Sequence, residues 1–265
     1  MENFYKTYFK NSQSMEEIPD ESIQLTVTSP PYFNSPFDYK GVFKDYHEYF
    51  VMLCDVAEEL YRVTAPGRIV MFNVDDMLVE GEKFPIVADV TRILMNAGFK
   101  YRDRIIWKKP DGYLRISRRS GVMIQHPYPM YYYPDNLVES LLIFQKGKFN
   151  YKSVSQEIRE ASKVDIEMFQ NHKWYRTLWE MTNVLPNAKL EKGIAAFPEE
   201  LARRFVILFS YVGETVLDPF LGSGTTMKVS RDFGRSCIGY DADTRLKSVI
   251  QTKVGEDVEF FGAEQ

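Results

Sequence analysis

The sequence predicts an α/β fold built on a mostly parallel sheet, and its last third is the clearest evidence. Residues 214–218 (Glu-Thr-Val-Leu-Asp) and 236–240 (Ser-Cys-Ile-Gly-Tyr) are typical of short strands, and each has an acid, Asp218 or Asp241, at its carboxyl end. Between them lies a stretch of helical periodicity, 225–233, which Gly234 closes. Short buried strands that alternate with helices are typical of βαβ units with right-handed crossovers, so we expect neighbouring strands to be parallel.

The rest of the chain continues this alternation. We expect a strand or lead-in within 4–20, strands at 22–27, 68–74, 100–107 and 139–145, and helices from 45 to about 61, at 84–97 and from 198 to about 211. Asp45 and Glu48 have the spacing of a capping box, which marks the start of the first helix. The continuous apolar run 69–72 is typical of a buried parallel strand.

Composition places the chain among ordinary globular proteins and predicts one domain, 1–265. Of its 265 residues, 45% are hydrophobic and 26% are charged, which suffices for a full core. No apolar run reaches membrane-spanning length and the first residues lack signal-peptide character, so we expect a cytoplasmic protein. Cys54 and Cys237 have neither zinc-site nor disulfide-framework spacing, and we expect no metal.

The formal net charge of −4 hides a local excess of basic residues. Residues 99–120 contain Lys100, Arg102, Arg104, Lys108, Lys109, Arg115, Arg118 and Arg119. Such a cluster is the electrostatic footprint of a surface that follows nucleic-acid phosphates. It is equally typical of a sheet edge that charge keeps soluble, so both interpretations stay open.

Two long segments interrupt the alternation of strands and helices. Residues 108–136 form an aromatic and basic connection, and a connection of this length within a compact domain is usually functional. Residues 148–178 carry mixed charge and weak periodicity. We interpret the second segment as an inserted recognition element, with a peripheral helix and loop as the alternative.

The strand at 22–27 stops at residues 28–32, which read Thr-Ser-Pro-Pro-Tyr. Prolines cannot donate to a sheet ladder, so the chain leaves the sheet here as a stiff hook. Ligands of open α/β sheets bind beyond the carboxyl ends of strands. The hook therefore offers the Ser29 hydroxyl, the Pro30 carbonyl and the Tyr32 ring as candidate ligand contacts. A plain proline-rich turn is the alternative.

A second candidate site is residues 218–226, which read Asp-Pro-Phe-Leu-Gly-Ser-Gly-Thr-Thr. Gly222 and Gly224 allow a ligand to approach the backbone where a helix begins. A phosphate loop would need a lysine directly after the last glycine, and a dinucleotide site would need a small residue in place of Met227. The pattern favours a nucleoside cofactor without phosphates, whose ribose Asp241 can bind, and S-adenosylmethionine has these parts.

Together the two motifs resemble those of amino-directed DNA methyltransferases of the β class, in which the catalytic motif precedes the cofactor motif. Residues 218–226 match the cofactor element of that family in full. Residues 28–32 match its catalytic motif in the form typical of N4-cytosine enzymes, whereas N6-adenine members more often have Asp or Asn at position 29. The resemblance implies a Rossmann-like, doubly wound sheet of the S-adenosylmethionine-dependent methyltransferase type, in circularly permuted order.

The resemblance also assigns roles to individual residues. The implied catalytic residues are Ser29, Pro30, Pro31 and Tyr32. The implied cofactor-binding residues are Asn11, Ser12, Thr28, Phe197, Pro198, Asp218, Pro219, Phe220, Gly222, Ser223, Gly224, Thr225 and Asp241. With DNA as the expected partner, the candidate DNA-binding residues are Lys108, Lys109, Arg115, Arg118 and Arg119. A restriction-modification context, a cognate restriction endonuclease and a homodimer are further expectations.

The hook suits methylation of an exocyclic amino group, whose lone pair is delocalised into the base. Accepting both N–H bonds would localise that pair towards a methyl donor, and the Ser29 hydroxyl and the Pro30 carbonyl supply two acceptors. Tyr32 can stack on a base lifted out of the duplex. C5-cytosine methylation would need a thiolate that follows a proline, and neither Cys54 nor Cys237 does so.

Three other functions stand as alternatives. N6-adenine methylation uses the same scaffold, and Ser29 favours cytosine without fixing it. Methylation of an RNA base or of a protein glutamine uses related hooks, but those enzymes usually carry the cofactor motif first. A non-catalytic nucleic-acid-binding module would be expected to lose Ser29, Tyr32 or the glycine turn, and all three are present.

Overall fold

The computed structural model describes residues 2–34, 41–110, 118–132, 134, 136–182 and 197–262. Its strands are β1 (Tyr5–Tyr8), β2 (Ile23–Thr28), β3 (Thr64–Val74), β4 (Met77–Val79), β5 (Glu82–Phe84), β6 (Lys100–Lys108), β7 (Val138–Gln145), β8 (Leu178–Glu180), β9 (Thr215–Asp218), β10 (Ser236–Tyr240) and β11 (Val258–Phe261). Its α-helices are α1 (Tyr46–Val63), α2 (Ile86–Asn96), α3 (Arg118–Gln125), α4 (Gln156–Ala161), α5 (Ile166–Asn171), α6 (Glu199–Phe209), α7 (Thr225–Asp232) and α8 (Lys247–Val254). None of these helices is long and apolar enough to cross a membrane.

The described strands form a nine-stranded sheet in the order β11-β1-β10-β9-β2-β3-β7-β6-β8, and β4 and β5 form a separate hairpin. Within the sheet, β7 runs antiparallel to β3 and to β6. The other neighbouring pairs of the sheet are parallel. The predicted mostly parallel sheet is confirmed, and β7 is the antiparallel element that the sequence pattern did not distinguish.

Helices cover both faces of this sheet, because successive side chains of a central strand point to opposite faces. In β3, Ile69 belongs to the core that includes Phe205 of α6 and residues of α7 and α8. Its neighbour Val70 belongs to a second core, which includes Leu53 of α1 and residues of α2. The sheet is therefore doubly wound, as the resemblance implied.

Strand β3 begins earlier than predicted. Its first residue, Thr64, directly follows α1 and pairs with Ile23, although Pro66 and Gly67 suggested a break before position 68. The register between β2 and β3 shifts after Ile23, and this irregularity accommodates the proline within the strand. Gly67 is required there, because its φ is +82° and a Cβ would lie 2.3 Å from Phe149 Cα.

The first helix begins as predicted, and the second begins later than predicted. The Asp45 side chain accepts a hydrogen bond from the Glu48 N–H over 2.9 Å, which caps α1. Helix α2 starts at Ile86 rather than near position 84, because the hairpin of β4 and β5 precedes it. The turn of this hairpin has positive φ at both Glu80 and Gly81, a geometry that two-residue hairpins prefer.

Both long segments contain regular structure that periodicity missed. Helix α3 lies within 108–136, and α4 and α5 lie within 148–178. The second segment leads into β8, which pairs in parallel with β6 at one edge of the sheet and buries Trp179. A strand of three residues is too short to carry a readable sequence pattern.

Candidate active site

The predicted hook and the predicted glycine turn meet at the carboxyl edge of the sheet. Strand β2 leads into the hook and β9 leads into the turn, and the two strands pair in parallel with Thr26 opposite Leu217. Parallel neighbours end at the same edge of a sheet, where open α/β sheets bind ligands. The Thr28 hydroxyl accordingly donates to Asp218 Oδ1 over 2.6 Å, across 190 residues of sequence.

Asp218 organises this junction. This residue is 1% exposed. It accepts hydrogen bonds from the Thr28 hydroxyl at 2.6 Å, the Thr226 hydroxyl at 2.7 Å and the Phe220 N–H at 3.1 Å. Burial raises the pKa of Asp218 to about 6, against the opposing effect of these three donors. The carboxylate therefore joins the hook, the turn and the first turn of α7.

The turn after β9 presents backbone to its surroundings. Gly222 and Gly224 adopt left-handed conformations, with φ of 54° and 86°. A Cβ at Gly224, the residue that caps α7, would lie 3.2 Å from Val254 of α8, so the turn packs closely on that helix. Asp241 holds the turn from the end of β10, because its carboxylate accepts the N–H groups of Gly222 and Asp243, each over 2.8 Å. Burial raises the pKa of Asp241.

A cavity of about 580 Å³ opens between the hook and the turn, a volume within the range of small-molecule sites. Among the predicted site residues, it is lined by Asn11, Ser12, Ser29, Pro31, Phe197, Pro219, Phe220, Gly222, Ser223, Thr225 and Asp241. The others are not lining residues: Thr28, Pro30, Tyr32, Pro198, Asp218 and Gly224. Lys10, Asp243 and Arg245 also line the cavity, and sequence reasoning did not single them out.

The cavity wall contains a buried polar atom without a protein partner. Ser12 is 3% exposed, and its Oγ has no hydrogen-bond partner among the described residues. Beside it, the Asn11 side-chain oxygen accepts the Gln13 N–H over 3.3 Å. Buried hydroxyl groups almost always have a partner, so the Ser12 hydroxyl is available to a polar atom of a molecule bound at this wall.

Ser29 lines the cavity, and the hydrogen of its hydroxyl is already engaged. Its Oγ donates to the backbone carbonyl of Asn73, at the end of β3, over 3.0 Å. A serine hydroxyl has one donor hydrogen and two acceptor lone pairs. Ser29 can therefore act towards the cavity as a hydrogen-bond acceptor.

A cluster of four side chains supports the hook, and we call Tyr32, Asn73, Lys109 and Glu139 the Glu139 cluster. Glu139 Oε2 accepts the Tyr32 hydroxyl and Asn73 Nδ2, both over 2.7 Å, and Oε1 pairs with the Lys109 ammonium over 2.5 Å. Burial, followed by the charge of Glu139, raises the pKa of Tyr32 well above its ordinary value. The same two causes raise the pKa of neighbouring Asp75 to about 6.

Sequence reasoning missed Asn73, Asp75 and Glu139, although a signal was present. Asn73 interrupts the apolar run of β3, and Glu139 stands near the start of the apolar strand β7. Both residues are buried, at 2% and 8% exposure. A polar residue in a strand that is otherwise buried costs stability unless it is paired, so its presence favours a functional cluster.

The predicted DNA-binding residues fall into two groups. Lys108 and Lys109 lie at and just after the end of β6, and the Lys109 side chain turns towards Glu139, with 24% of it exposed. Lys109 is therefore a partner of the hook in this conformation. The other group is Arg115, Arg118 and Arg119. Arg115 lies outside the described residues, and the side chains of Arg118 and Arg119 are not among the described ones.

Comparison with known proteins gives consistent matches over most of the chain. The family model described as DNA methylase, of the N6/N4 type, matches residues 23–252. The type II methyltransferase M.MjaI of Methanocaldococcus jannaschii is 33% identical, over 95% of this chain and 91% of that protein.

Solved structures show the same architecture. The proposed DNA modification methylase TTHA0409 of Thermus thermophilus, solved with S-adenosyl-L-methionine, superimposes with a TM-score of 0.75 and is 29% identical. The match covers 97% of this chain and 99% of that one. The cytosine-N4-specific PvuII DNA methyltransferase has a TM-score of 0.68 at 18% identity, over 100% of this chain and 97% of that one, which shows a shared fold.

Proposed function

The chain belongs to the N6/N4 DNA methylase family, and we propose that within it the protein methylates the N4 amino group of cytosine in duplex DNA. The observation that carries the proposal is Ser29, an acceptor on the cavity wall at the position where the family places its catalytic motif. The type II names of its relatives support a restriction-modification context. A cognate restriction endonuclease and a homodimer belong to the same proposal.

The fold is the Rossmann-like fold of S-adenosylmethionine-dependent methyltransferases, and S-adenosylmethionine is the methyl donor. The cavity beside the glycine turn fits this molecule in volume and in chemistry. We assign the ribose hydroxyls to Asp241, whose carboxylate sits beside the Gly222 backbone. The unpartnered Ser12 hydroxyl supplies a further polar contact. Phe197 and Phe220 give the cavity apolar walls for the rest of the cofactor.

The hook prepares the amino group of the target base for reaction with the sulfonium methyl group that the cofactor supplies. Because the hydrogen of the Ser29 hydroxyl is bound to Asn73, its oxygen accepts one N–H of the amino group. The backbone carbonyl of Pro30 accepts the second N–H. Two acceptors on a stiff backbone hold the nitrogen in a tetrahedral arrangement and orient its lone pair, which is catalysis by positioning.

Tyr32 provides the stacking surface for the target base, which must leave the duplex to enter the site. The hydrogen bond from its hydroxyl to Glu139 fixes one end of the ring, so the base meets a preorganised surface. Stacking on an aromatic side chain contributes about 1–3 kcal/mol per base. None of the four residues of the Glu139 cluster lines the cavity, so the cluster supports the hook from outside the proposed cofactor site.

The two long segments are the proposed DNA surface. Lys108, with Arg115, Arg118 and Arg119 of the connection 108–136, would supply salt-dependent affinity for phosphates. The insert 148–178 would contribute to sequence reading. It exposes several large side chains to solvent, namely Tyr151, Ile158, Ile166 and Tyr175. Exposed aromatic and apolar side chains of this kind support a nucleic-acid interface, because bases can stack on them.

The decisive experiment identifies the modified base. The protein is incubated with labelled S-adenosylmethionine and mixed-sequence duplex DNA, and the nucleosides are analysed by mass spectrometry. We expect N4-methylcytosine. Labelled DNA that contains N6-methyladenine alone would refute the choice of base and leave the family assignment intact. Sequencing the methylated DNA at base resolution would then return the recognition sequence.

The Ser29→Ala variant is the matched control for the role of the hook. It removes the side-chain acceptor and leaves the backbone carbonyl of Pro30 in place. We expect turnover to fall by at least about tenfold while the affinity for S-adenosylhomocysteine stays within about twofold, since Ser29 acts on the base. Unchanged turnover would show that the hydroxyl is not an acceptor in the reaction.

A further inference from the structure

The glycine turn has a cationic partner that no motif indicated. Lys253, in the last turn of α8, donates from Nζ to Ser223 Oγ over 2.9 Å and to Thr225 Oγ1 over 2.8 Å. Ser223 and Thr225 flank Gly224 and both line the cavity. Lys253 itself is not a lining residue, so its ammonium reaches the two hydroxyl groups from the side of α8.

The close packing of the turn on α8 makes this contact possible. A Cβ at Gly224 would lie 3.2 Å from Val254 and 3.5 Å from Ile250, so no side chain could stand between the turn and the helix. Ser223 and Thr225 are 2% and 5% exposed. Ser223 and Thr225 on the cavity wall and Lys253 behind them therefore form a fixed unit.

The chemistry of an ammonium group determines what the two hydroxyl groups can do. A lysine ammonium has three donor hydrogens and no acceptor, so each hydroxyl oxygen must accept from it. Each hydroxyl then keeps its own hydrogen to donate, and neither Ser223 nor Thr225 donates to a protein acceptor among the described residues. Two hydroxyl donors, a cation behind them and the open N–H groups at the start of α7 all favour an anionic group in the cavity.

We propose that Lys253 is a positioning residue for the carboxylate of the cofactor. It orients the Ser223 and Thr225 hydroxyl groups as donors into the cavity and supplies positive charge behind them. This inference rests on the proposed cofactor site and names the part of that site which recognises the amino-acid end. Asp241, which faces the same turn from β10, is an acceptor and is suited to the ribose instead.

The test compares two ligands that differ in the carboxylate-bearing part. S-adenosylhomocysteine carries the amino-acid end, and 5′-deoxy-5′-methylthioadenosine keeps the adenosine and the sulfur without it. Calorimetry would measure both dissociation constants for the wild type, for Lys253→Met and for Lys247→Met. Lys247 lies on the same helix, is exposed, and has its ammonium over the Phe260 ring. Its substitution therefore removes the same charge at a position that does not contact the turn.

We expect Lys253→Met to weaken S-adenosylhomocysteine binding by roughly ten- to a hundredfold, which equals about 1.4–2.8 kcal/mol, and to change methylthioadenosine binding by less than about twofold. Lys247→Met should leave both constants unchanged. If Lys253→Met weakened the binding of both ligands equally, or changed the binding of neither, the proposed role of Lys253 would be overturned. Binding of neither ligand by the wild type would instead refute the cofactor site itself.

A second variant protects the test against a failure of folding. Lys253→Gln keeps a donor group and removes the charge, and its thermal unfolding without ligand should match that of the wild type. We expect an intermediate loss of S-adenosylhomocysteine affinity, again with methylthioadenosine unaffected. Wild-type affinity for both ligands in this variant would contradict the proposal as clearly as it would in Lys253→Met.

Discussion

The buried carboxylate of Asp218 gives the sharpest quantitative prediction, because it stands at the junction of the hook and the glycine turn. Burial raises its pKa from 3.8 to about 6 in the folded protein. The folded state therefore holds this proton more tightly than the unfolded state does. Between about pH 4 and pH 6 the folded state binds more protons, so the contribution of Asp218 to stability falls as the pH rises. A difference of about two pH units corresponds to roughly 3 kcal/mol.

The Asp218→Asn substitution isolates this effect. Asparagine resembles the protonated acid, and its oxygen can still accept from Thr28 and from the Phe220 N–H. Its NH₂ group would face Thr226, whose hydroxyl can turn its hydrogen to the Val27 carbonyl, 3.3 Å away. We expect the stability of the variant relative to the wild type to rise by up to about 3 kcal/mol between about pH 4 and pH 7.

Urea unfolding followed by tryptophan fluorescence at several pH values would measure this difference. Other titrating groups are common to both proteins and cancel in the comparison. Asp218→Ala is the contrasting control, because it leaves the Thr28 hydroxyl and the Phe220 N–H without their acceptor, whereas Thr226 can still donate to the Val27 carbonyl. It should destabilise the protein at every pH, by about 1–3 kcal/mol for each buried donor left unpaired. The raised pKa of Asp218 would be refuted if the stability difference between Asp218→Asn and the wild type did not change with pH, or changed in the opposite direction.

Three further predictions concern the hook and the turn. Tyr32→Ala should lower turnover and leave the affinity for S-adenosylhomocysteine nearly intact, and Tyr32→Phe should lower turnover less because the ring remains. Equal losses of turnover in the two variants, measured in rate assays, would exclude stacking. Glu139→Gln should destabilise the protein by about 1–3 kcal/mol through its lost ion pair with Lys109, measured as coupling in a double-mutant cycle with Lys109→Met. Gly239→Ala should destabilise the protein by about 1–3 kcal/mol and weaken cofactor binding, because the added Cβ would lie 2.5 Å from Cδ2 of Leu221 in the turn. Wild-type stability in unfolding and wild-type affinity in calorimetry would disprove that clash.

The start of α1 and the position of β9 were readable from sequence because their signals are local. The capping pair Asp45 and Glu48 located α1, and the predicted strand 214–218 located β9, which spans Thr215–Asp218. The start of β3 was misplaced because Pro66 and Gly67 usually break structure, whereas here a register shift against β2 absorbs them. Strand β8 escaped detection because its three residues gain their strand pairing from β6 and not from their own pattern.

The polar contacts around the site could not be read in the same way. Glu139 is 107 residues from Tyr32 in sequence, and Lys253 is 28 residues from Thr225. Which side chains meet across such separations depends on strand order and helix packing, which are set by the whole chain. For this reason Lys109 looked like a phosphate contact in sequence and lies against Glu139 in the structure.

The sequence by itself determined the fold class and the two motifs, because alternating apolar runs and the residues 28–32 and 218–226 are local patterns with local causes. Tertiary structure decided how those motifs work. It placed β2 beside β9, so that one buried carboxylate, Asp218, joins both motifs, and it brought Lys253 and Glu139 behind them. The physical reason is that buried polar groups must find partners, and the partners available are set by packing rather than by neighbours in the chain.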